Sequence, residues 1–392
     1  MSWLFSLPTE VVFGEGSAAE LPGHIERLGR KALLVTDAGL LDQPFLRKLR
    51  EQVEWVDVFA EVQPNPTVAN VDELAARAAG AAGAEVLVAV GGGSVMDCAK
   101  AAAALVCNEG ESIRPYHSEG ARLNGARLPL IAVPTTAGTG SEVTPFAVLN
   151  DERKGIKGPM AHPSLYPTRA VVDPDLSASM PRGVTACTGL DALSHALEGY
   201  WSRHHQPICD LFAIEAGQRI FAALPKALEN PGDRTARAEM AYAALLAGMA
   251  FQLPKNAMVH ACSFPLSNRY HLPHGAACAF TLAAAVRFNA PVLGGRLETF
   301  AAACGFADVE GMAQAIRTLQ RQGGLPCTLA EAGIALADIP GLVAESFHPL
   351  MANNPREVTP PDLERLYRSL ALYGTSPQFP PEMSGAGPGA PL

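Results

Sequence analysis

The chain has 392 residues, 48% hydrophobic and 18% charged, with 39 acidic against 30 basic side chains and a formal net charge of −9. That composition is globular rather than disordered, is long enough for two domains, and its acidic balance argues against a nucleic-acid partner. The eight cysteines are scattered singly with no C-x-x-C pair, as expected of reduced thiols in a cytoplasmic protein.

The N-terminus MSWLFSLPTE has no basic stretch and is broken early by Pro8, so no signal peptide is expected. Residues 31–36 (KALLVT) read as a buried strand, 44–51 as a helix, 55–59 as a strand and 68–82 as an alanine-rich helix. Residues 85–90 (EVLVAV) give the next strand, 94–106 a helix and 128–133 (LPLIAV) a further strand. Lys100 interrupts the best alanine-rich run, so no membrane span is expected. Strands alternating with helices predict a doubly wound, mostly parallel α/β sheet, with ligands beyond the carboxyl ends of its strands. After residues 170–174 (AVVDP) the strand signals stop. Residues 178–372 are almost wholly helical in pattern, with helices near 209–223, 235–251, 276–288, 297–303 and 309–322. The expected division is an α/β domain over 1–178, an all-α domain over 179–375 and a flexible Pro/Gly-rich tail over 376–392.

Residues 188–200, TGLDALSHALEGY, read as a helix opened by a Thr-Gly pair. Asp191 and His195 are four apart, so a helix sets both on one face, as two ready ligands for a divalent metal. Alone, the pair reads more simply as a capping Asp and a buried His that share a hydrogen bond. A second segment, 259–280, offers His260 and His274, the latter in a Pro-His-Gly turn, which would complete a three-His, one-carboxylate site.

Gly91, Gly92, Gly93 and Ser94 follow a strand and open a helix, where free N–H groups and the helix dipole favour a pyrophosphate; a tight turn is the alternative. Residues 134–142, PTTAGTGSE, place the hydroxyls of Thr135, Thr136 and Thr139 at the same sheet edge, and two such loops favour a dinucleotide. Asp37 ends a strand, where it either binds an adenosine ribose and repels a 2′-phosphate or caps the next element. Lys157 either approaches the cofactor or is a solvated lysine.

Together VQPNPT (62–67), GGGSVMD (91–97, ending in Asp97), PTTAGTGSE, the D-x-x-x-H helix and the His260…His274 pair occur in an order that resembles the iron-containing (group III) alcohol dehydrogenases, over roughly residues 5–370. The resemblance implies a dinucleotide-binding N-terminal domain, an all-helical C-terminal domain and a divalent metal in the cleft between them. It implies Asp191, His195, His260 and His274 as ligands, Gly92–Ser94 as the pyrophosphate loop, and Asp37, Thr135, Thr136 and Lys157 at the adenine and ribose. NAD is the expected cofactor, with NADP the alternative; Fe2+ is the expected metal, with Zn2+ the alternative, because three imidazoles and a carboxylate suit either. A small-molecule aldehyde or alcohol and a homodimer are the expected partners.

The family commonly carries a second His four residues after the third ligand; here that position is Phe264. The segment CSFPLSNRYHLPHGAACAF looks most like the branch that reduces phosphonoacetaldehyde to 2-hydroxyethylphosphonate. Lys255, Asn256 and Arg269 are the expected anion-binding residues, with Phe264 an apolar wall; solvated surface charges are the alternative for the two cations. A general short-chain alcohol dehydrogenase is the second reading. A dehydroquinate synthase-like lyase and a non-catalytic binding protein are the rivals of other classes.

Overall fold

The computed structural model describes residues 3–80 and 83–371. The tail expected at 376–392 and the last two residues of the helix expected at 68–82 lie outside the described residues.

Six parallel strands make the main sheet: β1 (Glu10–Phe13), β2 (Ala32–Val35), β3 (Trp55–Phe59), β4 (Val86–Gly91), β5 (Leu130–Pro134) and, later in the chain, β8 (Arg169–Val172). Their order is β1-β8-β5-β4-β2-β3. The strands β2, β4 and β5 are buried along their whole length, which is why they read as continuous apolar runs rather than alternating ones. The chain leaves β2 for β3 on one side and returns as β4 on the other. The crevice at this switch point is where such sheets bind ligands. Asp37 follows β2 and the triple glycine ends β4, so both flank it.

Two features were not foreseen. Strand β1 is four residues long and only half-buried at the sheet edge, too short and too polar to announce itself. An antiparallel hairpin, β6 (Phe146–Asp151) and β7 (Ile156–Ala161), carries Lys157. Its strands alternate buried and part-exposed side chains, and Gly155 (φ +63°) closes the turn between them.

After β8 a short 3-10 turn, Pro174–Ser177, leads to the first long helix, Arg182–Trp201. That helix begins six residues before the expected Thr-Gly start: Pro181 is its N-cap, and Thr188 bonds back to Val184 O from within it. From Gly189 to Trp201 every residue is buried. A helix covered all round belongs at the centre of a bundle, and it packs against Pro207–Glu229, Arg234–Phe251 and His274–Asn289. One segment, His274–Val292, is long and apolar enough to cross a membrane, contrary to the reading that no run reaches that length. Most of it is buried in this bundle, which accounts for its composition.

Candidate metal centre and cofactor cleft

The central helix supplies a column of polar side chains in an otherwise apolar core. Asp191, His195 and Glu198 stand at i, i+4 and i+7, on one face and all buried. His260 is the third residue of the helix Met258–Tyr270, and His274 opens the helix His274–Asn289. Asp191 Oδ1 lies 3.7 Å from both His260 Nε2 and His274 Nε2. His195 Nε2 is 3.0 Å from His260 Nε2. Three of the four side chains singled out in the sequence, Asp191, His260 and His274, thus converge, and His195 adjoins them through His260.

Gly275 explains how the helices come so close. A Cβ there would lie 2.0 Å from Cys187 O and 3.2 Å from the Asp191 Cβ. Only glycine lets the backbone beside His274 rest on the central helix.

Glu198 fixes one imidazole. Its Oε2 accepts from His260 Nδ1 at 2.5 Å and its Oε1 from Val259 N at 2.6 Å. With Nδ1 donating, His260 presents the lone pair of Nε2 to the cluster. His195 stacks on Phe251, centroids 4.1 Å apart. Burial pushes the His195 pKa down to about 3, keeping it neutral as a ligand must be. Burial alone would raise the Asp191 carboxyl, but the imidazoles of His195 and His274 outweigh it and hold it below the usual carboxylate range. Asp191 Oδ1 is buried with no hydrogen-bond donor among the described residues. A carboxylate oxygen left so is costly unless a cation meets it. The donor set therefore fits a divalent metal.

Cys278 is a fifth group at this point, with the donor atoms of Asp191, His260, His274 and Cys278 all within 4.8 Å of one another. Neither it nor Glu198 was singled out in the sequence. Both follow from helical spacing, Cys278 four residues after His274 and Glu198 three after His195.

A cleft of about 1550 Å³ runs from Asp37 past the glycine loop to this cluster. Gly91 and Gly93 are required by packing alone, since a Cβ would strike Val95 at 2.5 Å and Thr139 at 2.7 Å. Gly92 has only Thr136 at 3.5 Å, so it keeps the open approach for a phosphate beside the N-terminus of the helix Gly93–Leu105. Thr135, Thr136, Thr139, Ser94 and Lys157 line the same cleft. Lys157 Nζ donates to Asn65 Oδ1 at 2.9 Å. Asp37 is half-buried, and its Oδ1 accepts from Gly39 N at 3.0 Å, so it holds its own turn while facing the cleft. Asp97, expected from the sequence among the cofactor-binding residues, lines the cleft, and its carboxylate also braces the scaffold: Oδ1 accepts from Ser141 Oγ at 2.6 Å and Oδ2 from Val148 N at 2.9 Å, tying the second loop to β6. Beneath it Lys100 is buried, donating to Ser141 Oγ and Phe146 O.

At the far end, Lys255, Asn256 and Phe264 line the cleft next to His260. Lys255 holds a left-handed backbone (φ +65°), fixed by its N–H to Phe251 O at 2.7 Å. Asn256 Oδ1 is buried without a partner among the described residues. Phe264 packs edge-on to His348, 4.8 Å between centroids. Arg269 does not join them. Its guanidinium faces Asp338 and Glu345, each at 3.5 Å, and lies outside the cleft lining. Nine residues after His260 on a helix is half a turn round, which turns the side chain away from the ligand face.

Comparison with known proteins agrees with this architecture. Residues 8–174 match the family description "Iron-containing alcohol dehydrogenase", and residues 185–371 its C-terminal counterpart. A crystal structure of sulfoacetaldehyde reductase from Bifidobacterium kashiwanohense, in complex with NAD+, superposes with a TM-score of 0.91 at 40% identity, over 95% of this chain and 100% of that one. An NAD-dependent methanol dehydrogenase of Bacillus methanolicus is 35% identical over 93% of this chain and 99% of its own. Lactaldehyde reductase of Escherichia coli K12 is 34% identical over 91% and 96%. The chain belongs to the iron-containing alcohol dehydrogenase family and is an alcohol/aldehyde oxidoreductase.

Proposed function

We propose that the protein uses NADH to reduce a two-carbon aldehyde bearing an anionic end. The observation that carries this reading is the position of Lys255, a cation in a constrained left-handed turn at the metal end of the cleft. When bound, a divalent cation supplies a Lewis acid for the carbonyl oxygen and the reduced nicotinamide supplies hydride. The residues of the chain do the rest. Asp191, His195, His260 and His274 would hold the cation, and Glu198 orients His260. Phe251 and Phe264 wall the reacting end against water. The Lys255 ammonium, with the Asn256 amide, holds the anionic end away from the carbonyl carbon. Phe264 has no proton to give, so the product's proton comes from water or from a ribose hydroxyl of the cofactor.

Phosphonoacetaldehyde and sulfoacetaldehyde both fit this class. With Arg269 outside the cleft, Lys255 is the cation beside His260, which suits a singly charged sulfonate better than a doubly charged phosphonate. The sulfoacetaldehyde reductase likeness supports the same order. The unpaired state of all eight cysteines supports a cytoplasmic setting.

The test is a kinetic comparison of sulfoacetaldehyde, phosphonoacetaldehyde and propanal, each with NADH and NADPH, in the unmodified protein and in Lys255→Met. Loss of a charge-assisted hydrogen bond predicts a rise of about tenfold or more in KM for the anionic aldehydes, with propanal unaffected. If propanal is the better substrate, or responds to Lys255→Met alike, the anion pocket does not exist and a general alcohol dehydrogenase takes its place.

A further inference from the structure

We propose that Cys278 is a further ligand to the cation, bound through sulfur as a thiolate, and that it tilts the site toward zinc or cobalt(II) over iron(II). The inference rests on the metal-site reading above. Cys278 follows His274 by one helical turn, and its Sγ lies 3.9 Å from His274 Nε2. Donors ~2.0–2.3 Å from one ion in a tetrahedron stand about 3.3–3.8 Å apart. The separations of 3.7 Å from Asp191 Oδ1 to His260 Nε2 and to His274 Nε2, and 3.9 Å from His274 to Cys278, are close to those edges. All four of these donor atoms lie within 4.8 Å of one another, so a shift of up to about 1 Å brings the sulfur onto an ion held by the others.

A second observation points to the same space. Asp191 Oδ1 is buried, belongs to this group of donors, and has no hydrogen-bond donor among the described residues. It therefore calls for a cation where the sulfur also points. Cys278 itself is fully buried, so its thiol is sheltered from bulk solvent and held by the helix rather than free to swing away.

The consequence is chemical. Carboxylate and imidazole accept Fe(II), Co(II) and Zn(II) with little discrimination, whereas thiolate is soft and favours zinc. On binding, the S–H bond breaks, the sulfur keeps the electron pair and forms the bond to the metal, and one proton leaves to solvent without change of oxidation state.

The test uses the full-length protein, stripped with a chelator and loaded with one equivalent of Co(II). The expected result is a near-ultraviolet thiolate-to-cobalt charge-transfer band in the unmodified protein that is absent from Cys278→Ser at equal cobalt content. Alongside it, the ratio of zinc to iron(II) affinity falls at least about tenfold in the variant. Stoichiometric cobalt without the band overturns the thiolate ligand and leaves the metal site standing. Persistence of the band in Cys278→Ser assigns the sulfur elsewhere and also overturns it. Failure of the unmodified protein to bind cobalt overturns both. Cys278→Ala, with its fold checked by circular dichroism, repeats the comparison if the serine variant does not fold.

Discussion

Glu198→Gln tests whether the carboxylate behind His260 sets the strength of the metal site. Glu198 is fully buried and accepts two hydrogen bonds, from His260 Nδ1 and from Val259 N. A glutamine of the same shape has one acceptor atom and one donor. If its amide nitrogen faces Val259, two N–H groups oppose each other across the 2.6 Å now spanned by a hydrogen bond. If it faces His260, the ring must move its proton to Nε2 and lose the lone pair that meets the cation. Either way one charge-assisted hydrogen bond disappears, a loss of about 1.5–3 kcal/mol. That corresponds to roughly tenfold to a hundredfold in metal affinity, the range expected for partners behind a ligating His. The assay is competition for Zn(II) or Co(II) against a chromophoric chelator, with circular dichroism to confirm the fold. An affinity within about twofold of the unmodified protein refutes the reasoning, because the carboxylate would then be a packing group only.

The other expectations concern the cleft and its supports. Gly275→Ala places a Cβ 2.0 Å from Cys187 O, so the helix bearing His274 must retreat and metal affinity drops with stability; unchanged zinc content after dialysis would contradict the close-approach argument. Asp37→Gly should lower the ratio of kcat/KM for NADH over NADPH by roughly tenfold, because a like charge facing the 2′-phosphate is removed; an unchanged ratio means that Asp37 only holds its turn. Burial raises the Glu142 pKa from 4.5 to about 7. The folded protein then binds the extra proton between those values, so this group's contribution to stability is complete below 4.5 and is lost as pH rises through about 7. Glu142→Gln should therefore gain stability over the unmodified protein from pH 5 to pH 8, by up to about 3 kcal/mol, read as urea midpoints; a difference that does not change with pH would refute it.

The sequence by itself determined the doubly wound sheet, because strands buried on both faces leave unbroken apolar runs such as EVLVAV and LPLIAV between helical repeats. It also determined the glycine-rich loops and the pairing of Asp191 with His195, since both depend only on spacing along the chain. The same spacing held Glu198 and Cys278 in plain view, four or fewer residues from a recognised ligand. The half-buried strand β1 and the hairpin β6–β7 escaped because short strands with one wet face carry little periodic signal. What only the tertiary structure decided are relations between segments distant in sequence. The helices of His260 and His274 reach Asp191 because Gly275 lets backbones touch, and the cage distances follow from that packing. Arg269 leaves the cleft for Asp338 and Glu345, an ion pair set by a segment some seventy residues further on. Local order is written in periodicity, whereas the direction of a long, flexible cation is settled by whichever opposite charges the fold brings within reach.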